Sequence, residues 1–403
     1  MAGTTITVGG TTTLNLGPGN SAALNGALNN FGTVVIASGN SVTLTDVNAI
    51  DLGPSTVSGP FSLTAGGNIS QSGVLNISGT ATIEATGFNV TLGNASNNFQ
   101  QAVNVNGAAI TLVDGTGGIE LGDINASGAF TVTSTGGNIT NSGALAVGTT
   151  TQITATGFNV TLNNPNNNFV GAVTTVGANN LTLNDSVAAL TLGASSVTGN
   201  LIITGAGPLT TGATTVGGNY NISGVGTVAL GATSVGGNFN LSAGGAVDAV
   251  GNLVVTGNFA LSTTGAITDT GTLTITGTTT LAAGTANNIT LNSANNFIGA
   301  VSINSGNNVT LNDTGTEAFF LGPSAVTGNL AITSTKAIDL GALTVGGNLG
   351  GEQPPQDATP VGLRHPDLND ITPPDGGHQR NDAGFQPPHP AGLQKKHQKN
   401  IIS

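Results

Sequence analysis

A segment in the middle of the chain repeats itself about every 20 residues, and this period limits the fold more than any other feature. Five consecutive copies read VTGNLIIT from Val197, VGGNYNIS from Val216, VGGNFNLS from Val235, VTGNFALS from Val255 and ITGTTTLA from Ile275. A fixed period of this size, made of strand-forming residues and Gly/Asn turns, is typical of a β-solenoid in which each repeat forms one coil.

A longer period is superimposed on the first. GFNVTL begins at Gly87 and again at Gly157, 70 residues later, and NNF begins at Asn97, Asn167 and Asn295. The second NNF interval exceeds the first by 58 residues, which is about three coils. Inserting whole coils leaves a stack in register, whereas a globular core would rarely tolerate such an insertion.

Apolar and polar residues alternate within the repeats, as in GNFNLS, which is a strand pattern. Equivalent residues of successive coils should stack into columns. One inward column is predicted to hold Leu201, Tyr220, Phe239, Phe259 and Leu330. The adjacent column is predicted to hold stacked Asn amides that hydrogen-bond along the rod, at Asn200, Asn219, Asn238, Asn258 and Asn329.

These patterns predict an all-β fold, a parallel β-helix of about 20 residues per coil over residues 1–349. Strands stack about 4.8 Å apart, so about 17 coils would make a rod of about 80 Å. Residues 350–403 have no alternation and hold nine of the fifteen Pro residues. Because Pro removes ladder donors, we expect a disordered tail there, or an out-of-frame translation of further repeats.

Charge and composition exclude several functions. Residues 1–349 carry one basic residue, Lys336, against twelve Asp and Glu, so they lack the basic stripe that nucleic acid or anionic lipid requires. The chain has no Cys and no apolar run of membrane-spanning length. Its first residues, MAGTTITVGG, lack the features of a signal peptide, so an exported protein of this kind is expected to be longer.

The best candidate for chemistry is an Asp that recurs at the end of TLTD, TLVD, TLND and TLND, at positions Asp46, Asp114, Asp185 and Asp313. One interpretation is a corner cap in which the carboxylate accepts backbone N–H groups. The alternative is a calcium ligand, although the tandem nonapeptide of calcium-binding solenoids is absent. No catalytic, cofactor-binding or metal-ligating residue is assigned.

Other candidates are weaker. The nearest carboxylate pairs, which a glycosidase would need, are Asp46 with Asp51 and Glu120 with Asp123, and they lack basic residues to hold an acidic sugar. Lys336 does not fit a phosphate-binding loop and is interpreted as solvated. The tail histidines are irregularly spaced and are interpreted as unstructured, at His365, His378, His389 and His397.

VTGNLIIT, GAITDTGTLTITGTTTL, NNITLNSANNFIGAVSI and NNVTLNDTG resemble the repeat regions of filamentous-haemagglutinin-like adhesins, which are large bacterial exoproteins of the two-partner-secretion and autotransporter kind. The resemblance covers residues 1–349. It implies a right-handed parallel β-helix, export through an outer-membrane transporter, and a role in adhesion or biofilm. It transfers no functional residue, because the matched motifs are structural.

The sequence therefore predicts a non-enzymatic structural stalk of a secreted or surface-exposed bacterial adhesin. Its expected partners are surface glycans or proteins of host or neighbouring cells, and end-to-end self-association is a further expectation. A carbohydrate-active β-helix enzyme and an ice- or surface-binding solenoid stay open as alternatives. The Thr clusters at residues 11–13, 149–151 and 278–280 motivate the second alternative, which would need a continuous outward Thr column.

Overall fold

The computed structural model describes residues 5–249 and 251–352, which form a stack of short parallel strands. These residues contain 46 strands and no helix, so they offer no helix with the length and apolarity to cross a membrane. The coils number about 17 and lie about 20 residues apart. The predicted all-β parallel solenoid is confirmed, and the right hand of the coil stays a prediction.

The strands are short and are separated by corners rich in Gly, Asn and Ser. The first fifteen are β1 Thr7–Asn15, β2 Ala22–Leu24, β3 Asn30–Gly39, β4 Val42–Asp46, β5 Ile50–Val57, β6 Phe61–Ala65, β7 Ile69–Gln71, β8 Leu75–Ile77, β9 Ala81–Glu84, β10 Val90–Leu92, β11 Asn98–Phe99, β12 Val103–Gly107, β13 Ile110–Asp114, β14 Ile119–Ala126 and β15 Phe130–Ser134. The next fifteen are β16 Ile139–Asn141, β17 Leu145–Val147, β18 Thr151–Thr154, β19 Val160–Leu162, β20 Asn168–Phe169, β21 Val173–Val176, β22 Leu181–Asp185, β23 Leu190–Leu192, β24 Ser195–Val197, β25 Leu201–Gly205, β26 Leu209–Thr211, β27 Thr214–Val216, β28 Tyr220–Val225, β29 Val228–Leu230 and β30 Thr233–Val235. The last sixteen are β31 Phe239–Ala243, β32 Val247–Ala249, β33 Leu253–Val255, β34 Phe259–Thr263, β35 Ile267–Asp269, β36 Leu273–Ile275, β37 Thr279–Ala282, β38 Ile289–Phe297, β39 Val301–Ser305, β40 Val309–Asp313, β41 Phe319–Leu321, β42 Ser324–Val326, β43 Leu330–Ser334, β44 Ile338–Leu340, β45 Leu343–Val345 and β46 Leu349–Glu352.

Three sheets run along the rod, with 25 strands, 19 strands and two strands, the last being β42 and β45. In the most regular part, one coil crosses β25, β26 and β27, and β28 then pairs in parallel with β25. Backbone N–H and C=O groups are therefore satisfied between coils, which lets a Gly-rich chain hold its shape without helices or disulfides.

Successive long repeats enter the stack half a coil apart, because 70 residues correspond to about three and a half coils. The strand ending at Asp46 lies in the 19-stranded sheet, the one ending at Asp114 in the 25-stranded sheet, and the one ending at Asp185 again in the 19-stranded sheet. The strand ending at Asp313 returns to the 25-stranded sheet, so the three inserted coils preserve this alternation.

The interior is a continuous row of buried apolar side chains from Phe31 to Leu340. The predicted aromatic column is confirmed from Leu201 to Phe259, because these positions are register partners in neighbouring coils. The rings of Tyr220 and Phe239 stack with centroids 4.7 Å apart, and those of Phe239 and Phe259 lie 5.4 Å apart. All three aromatic side chains are almost fully buried.

The placement of Leu330 in that column was wrong. Phe259 is followed in its column by Thr279 and Val301, whereas Leu330 stacks on Val309 in the 25-stranded sheet. The reason is the NNF-containing segment between Ile275 and Val326, which adds about two and a half coils. The half coil carries the VTGNL motif, with Asn329, to another sheet.

Pairing continues to the end of the described region. Strand β46 pairs with β43, with Leu330 opposite Leu349 and Thr333 opposite Glu352. The tail predicted for residues 350–403, including its four His residues, lies from residue 353 onward outside the described residues.

Candidate functional site

The four recurring Asp side chains are buried, with at most 2% of their surface exposed. One carboxylate oxygen of each accepts the backbone N–H of a Phe that lies in the preceding coil. The N–O distances are 2.5 Å for Phe31 to Asp46, 2.8 Å for Phe99 to Asp114, 3.1 Å for Phe169 to Asp185 and 3.0 Å for Phe297 to Asp313. The carboxylates therefore join coils.

The second carboxylate oxygen closes the corner that follows the strand. In Asp46, Asp114 and Asp185 it accepts the N–H of the residue two positions later, at 2.9, 3.0 and 3.2 Å. This is the Asx-turn geometry of a corner cap, so that prediction is confirmed for these three residues. The second oxygen of Asp313 instead accepts the hydroxyl of Ser334 at 3.4 Å.

Each of these Phe residues belongs to an NNF triplet, and the first Asn of the triplet is also buried. Its Oδ1 accepts an N–H from the coil before, with N–O distances of 3.0 Å at Asn29, 2.9 Å at Asn97, 3.1 Å at Asn167 and 2.8 Å at Asn295. We call the Asn, the Phe and the following Asp a clip. Each clip ties three consecutive coils together.

The clip was not predicted from the sequence as a unit. The copy at Asn29 was missed, and NNF was not linked to the later Asp. The signal was present, because NNF precedes the Asp by a nearly constant interval in all four repeats. What the sequence does not give is the path of the corner between the two, which brings the Phe N–H within hydrogen-bonding distance of the carboxylate.

Burial raises the pKa of Asp114 above its ordinary value, while the N–H groups of Phe99, Thr116 and Gly118 act in the opposite direction. The carboxylate has thus lost its contact with water and is hydrogen-bonded to fixed backbone N–H groups instead. Among residues 5–249 and 251–352 no group of three or more acidic, His or Cys side chains converges in a way that could hold a metal ion. The calcium alternative stays a prediction that chelation can test.

A third repeated element joins coils through a buried serine. Ser55, Ser195 and Ser324 occupy the same place in LGPSTV, LGASSV and LGPSAV. Their hydroxyls accept the N–H of Ile36 at 3.1 Å, Thr175 at 3.2 Å and Ile303 at 3.0 Å, in the preceding coil. Around Ser55 the pairing of β3 with β5 shifts register, so the hydroxyl replaces a backbone partner.

The carboxylate pairs considered for hydrolysis are not brought together. Asp46 is buried, whereas Asp51 lies on the outer side and accepts the hydroxyls of Ser70 and Ser72 at 3.1 and 2.5 Å. Glu120 lines a shallow depression of about 390 Å³, and Asp123 lines a different one of about 370 Å³ beside Glu84. Neither pair spans a common cleft.

The predicted Asn column exists, but its bonds differ from the prediction. Each Oδ1 accepts the backbone N–H of the residue at the same corner of the next coil, and Oδ1 of Asn159 also accepts the side-chain amides of Asn179 and Asn180 at 3.2 and 2.9 Å. This ladder runs along an exposed corner with N–O distances of 2.8 to 3.2 Å, through Asn138, Asn159, Asn180, Asn200, Asn219, Asn238, Asn258 and Thr278. Asn329 belongs to a separate ladder that starts at Asn288.

Outward Thr columns are short. One run of register partners reads Thr191, Thr210, Ala229, Asp248, Thr268, Thr290 and Thr310, so Ala and Asp interrupt it. Two members of the Thr clusters, Thr151 and Thr279, point inward, and their buried hydroxyls have no hydrogen-bond partner within the described part of the chain. Lys336 is exposed, and its backbone N–H donates to Ser334.

Comparison with known families gives a match over most of the chain. The family of repeats of unknown function designated DUF5649 matches residues 39–106, 107–176, 178–234, 218–258, 236–304 and 306–350. The first two windows each span one long repeat, and together the windows cover most of the chain. No curated protein and no solved structure matches the chain.

Proposed function

The chain belongs to this family of repeats of unknown function, and on that premise we propose that it is a structural stalk of a large secreted or surface-exposed bacterial adhesin. The observation that carries the proposal is the use of the repeated polar residues. Asp and Asn of every long repeat, and Ser of three of the four, are buried and bind the backbone of a neighbouring coil, as in Asp114, Asn97 and Ser55. The repeated polar residues therefore hold neighbouring coils together, which supports a role in maintaining a long rod.

The proposed stalk has no catalytic activity. The carboxylates nearest in sequence do not share a cleft, and the four recurring Asp side chains are enclosed by backbone donors. Hydrolysis of a sugar needs two carboxylates that flank one bond. A panel of polysaccharides should therefore show no hydrolysis above background, and activity lost in Glu120→Gln or Asp123→Asn would overturn this part of the proposal.

The surface supports uncharged or weakly polar contacts. Between Ile124 and Val247 the only charged residue is Asp185, and it is buried. Several coils therefore present uncharged groups to solvent, mainly hydroxyl and amide groups together with exposed apolar side chains such as Val170, Val187 and Ile202. We propose that the partners are surface glycans or proteins of other cells and not nucleic acid, which would need a basic stripe.

The composition also suits an oxidising, protease-rich location. The chain has no Cys and no Trp, and its single Tyr is buried. Lys336 is the first Lys or Arg in the sequence, so trypsin-like proteases have no site before it. Such a surface offers few reactive groups to oxidants, which is compatible with the proposed extracellular location.

Cell-surface labelling tests the proposal. Antibodies against the purified solenoid should label intact cells of the source organism, and brief protease treatment of whole cells should release the protein. A cytoplasmic marker protein in the same cells is the control and should stay protected. Protein that is found only inside intact cells, or a deletion strain with unchanged adhesion and biofilm formation, would contradict the stalk function.

A further inference from the structure

Two Asn-Gly steps occur in the described residues, Asn25–Gly26 and Asn106–Gly107, and the fold treats them differently. Asn followed by Gly is prone to attack of the Gly backbone nitrogen on the Asn side chain. Gly has no Cβ to obstruct the approach, and its backbone reaches conformations that other residues avoid. Whether the attack occurs depends on how firmly the two groups are held.

Asn25 lies in the corner after β2 and is exposed. Neither its side chain nor the Gly26 N–H has a hydrogen-bond partner among residues 5–249 and 251–352. The corner is outside the strand ladders, which begin again at β3. No hydrogen bond within the described residues therefore opposes a turn of these groups towards each other.

Asn106 has the same neighbour in sequence but is fixed. Its Nδ2 donates to Glu84 Oε2 and to Thr86 Oγ1, both at 3.0 Å. Gly107 is a buried residue of β12 and pairs with Ala126. Attack at this site would require breaking both side-chain bonds and distorting a paired strand.

We propose that Asn25 is a site of spontaneous deamidation, whereas Asn106 is protected by the fold. The Gly26 nitrogen bonds to the Asn25 side-chain carbonyl carbon and loses its proton, and the side-chain NH2 group takes up a proton and leaves as ammonia. Water then opens the five-membered succinimide at either carbonyl, giving Asp or isoaspartate at position 25. Water is the only co-reactant, and the product carries one additional negative charge.

The position of the site links this reaction to the first clip. The carbonyl of Leu24, directly before Asn25, accepts Nδ2 of Asn29 at 3.0 Å. An isoaspartate at position 25 inserts an extra methylene into the backbone between these two residues. The reaction therefore loosens the hold of Asn29 on the first described coils. Position 26 favours Gly, because a Cβ there would lie 2.8 Å from Oδ1 of Asn29.

Peptide mapping of the aged protein tests the proposal. The folded chain is incubated at mildly alkaline pH, digested with elastase, and isoaspartate is quantified at both sites by mass spectrometry. Asn25 should react at least about tenfold faster than Asn106, because two hydrogen bonds of about 1 kcal/mol each must break at Asn106. In urea, where the fold is lost, the two sites should react at similar rates.

The variant Asn25→Gln is the control, because its longer side chain reacts slowly while the corner keeps its sequence otherwise. The variant should show no fast phase of ammonia release. The rate of hydrogen exchange at the backbone amide of Ile6, which donates to Asn29, should not change as the variant ages. Faster reaction at Asn106, or no isoaspartate at Asn25 in the folded protein, would overturn the proposal.

Discussion

The backbone N–H of Phe99 donates to Oδ2 of Asp114 across 2.8 Å, although the two residues lie in different coils. The same carboxylate accepts the N–H of Thr116 through its other oxygen at 3.0 Å. One buried side chain thus fixes both the height of one coil above the next and the path of its own corner. The first prediction follows from this double role.

We expect Asp114→Asn to lower the free energy of unfolding by about 1–3 kcal/mol. An amide has only one acceptor oxygen, so its NH2 group would face either the Phe99 or the Thr116 N–H. Asp123→Asn is the matched control, because Asp123 is exposed and, within the described chain, accepts only the N–H of Ala144, which an amide oxygen can still accept, so its effect should stay within about 0.5 kcal/mol. Denaturant midpoints followed by circular dichroism measure both, and equal effects would contradict the clip.

The pH dependence of stability should also reflect Asp114. Burial raises the pKa of this carboxyl in the folded state above its ordinary value of 3.8. Between the unfolded and folded values the folded protein binds more protons. The contribution of Asp114 to stability is therefore largest below 3.8 and falls as pH rises through the folded pKa.

Melting temperatures of the wild type and of Asp114→Asn, compared over this acidic range, test the sign. The melting temperature of the wild type should rise relative to that of Asp114→Asn as pH falls through the folded pKa. A difference that is constant, or that moves in favour of the variant, would refute the assignment.

Replacement of the buried phenol of Tyr220 should increase the stability of the folded protein. Its hydroxyl is fully buried without a hydrogen-bond partner in the described chain, and burial raises its pKa. Tyr220→Phe should increase stability by about 1–3 kcal/mol, since an unsatisfied buried group is removed while the stacking on Phe239 is kept. The reverse substitution one coil later, Phe239→Tyr, should destabilise. Thermal unfolding of the two variants tests this prediction. A loss of stability in Tyr220→Phe would contradict it, because it would show that the hydroxyl makes a stabilising hydrogen bond.

The solenoid should tolerate loss of one whole coil but not of half a coil. Removing Val216–Ser234 joins Thr215 to Val235, whose register partners are Ser234 and Val216, so every later strand keeps its column. The rod should shorten by about 4.8 Å and stay folded. Removing only residues 216–225 would shift every later strand by half a coil, so that Val228, for example, would no longer stack on Leu209, and this variant should be less stable than the whole-coil deletion. Small-angle scattering and circular dichroism compare the two, and equal folding of both would contradict the columns.

Calcium chelation should leave the melting temperature unchanged if the recurring Asp residues act as corner caps. Their oxygens already accept backbone N–H groups at hydrogen-bonding distance, as at Asp46 and Asp185. Thermal scans in EDTA and in excess calcium form the comparison. A large drop in EDTA that calcium restores would make these Asp residues ligands.

The columns around Phe239 could be predicted because they depend on local properties, namely period-2 alternation and a fixed coil length. The displacement of Leu330 could not, because it depends on how many half coils an inserted segment adds. The clip was missed for a similar reason. Phe99 and Asp114 meet only when the corner between them has a defined path, and nothing in their sequence positions gives that path.

Because successive long repeats are offset by half a coil, equivalent motifs lie alternately on two sides of the rod. Copies of the motif that end at Asp46 and Asp185 share one sheet, seven coils apart by strand register, whereas the copy at Asp114 lies on another sheet. The two copies on this side therefore lie about 34 Å apart, at about 4.8 Å per coil. A ligand with two binding heads could bridge the same side only if its heads matched that spacing, while shorter ligands would distribute over both sides.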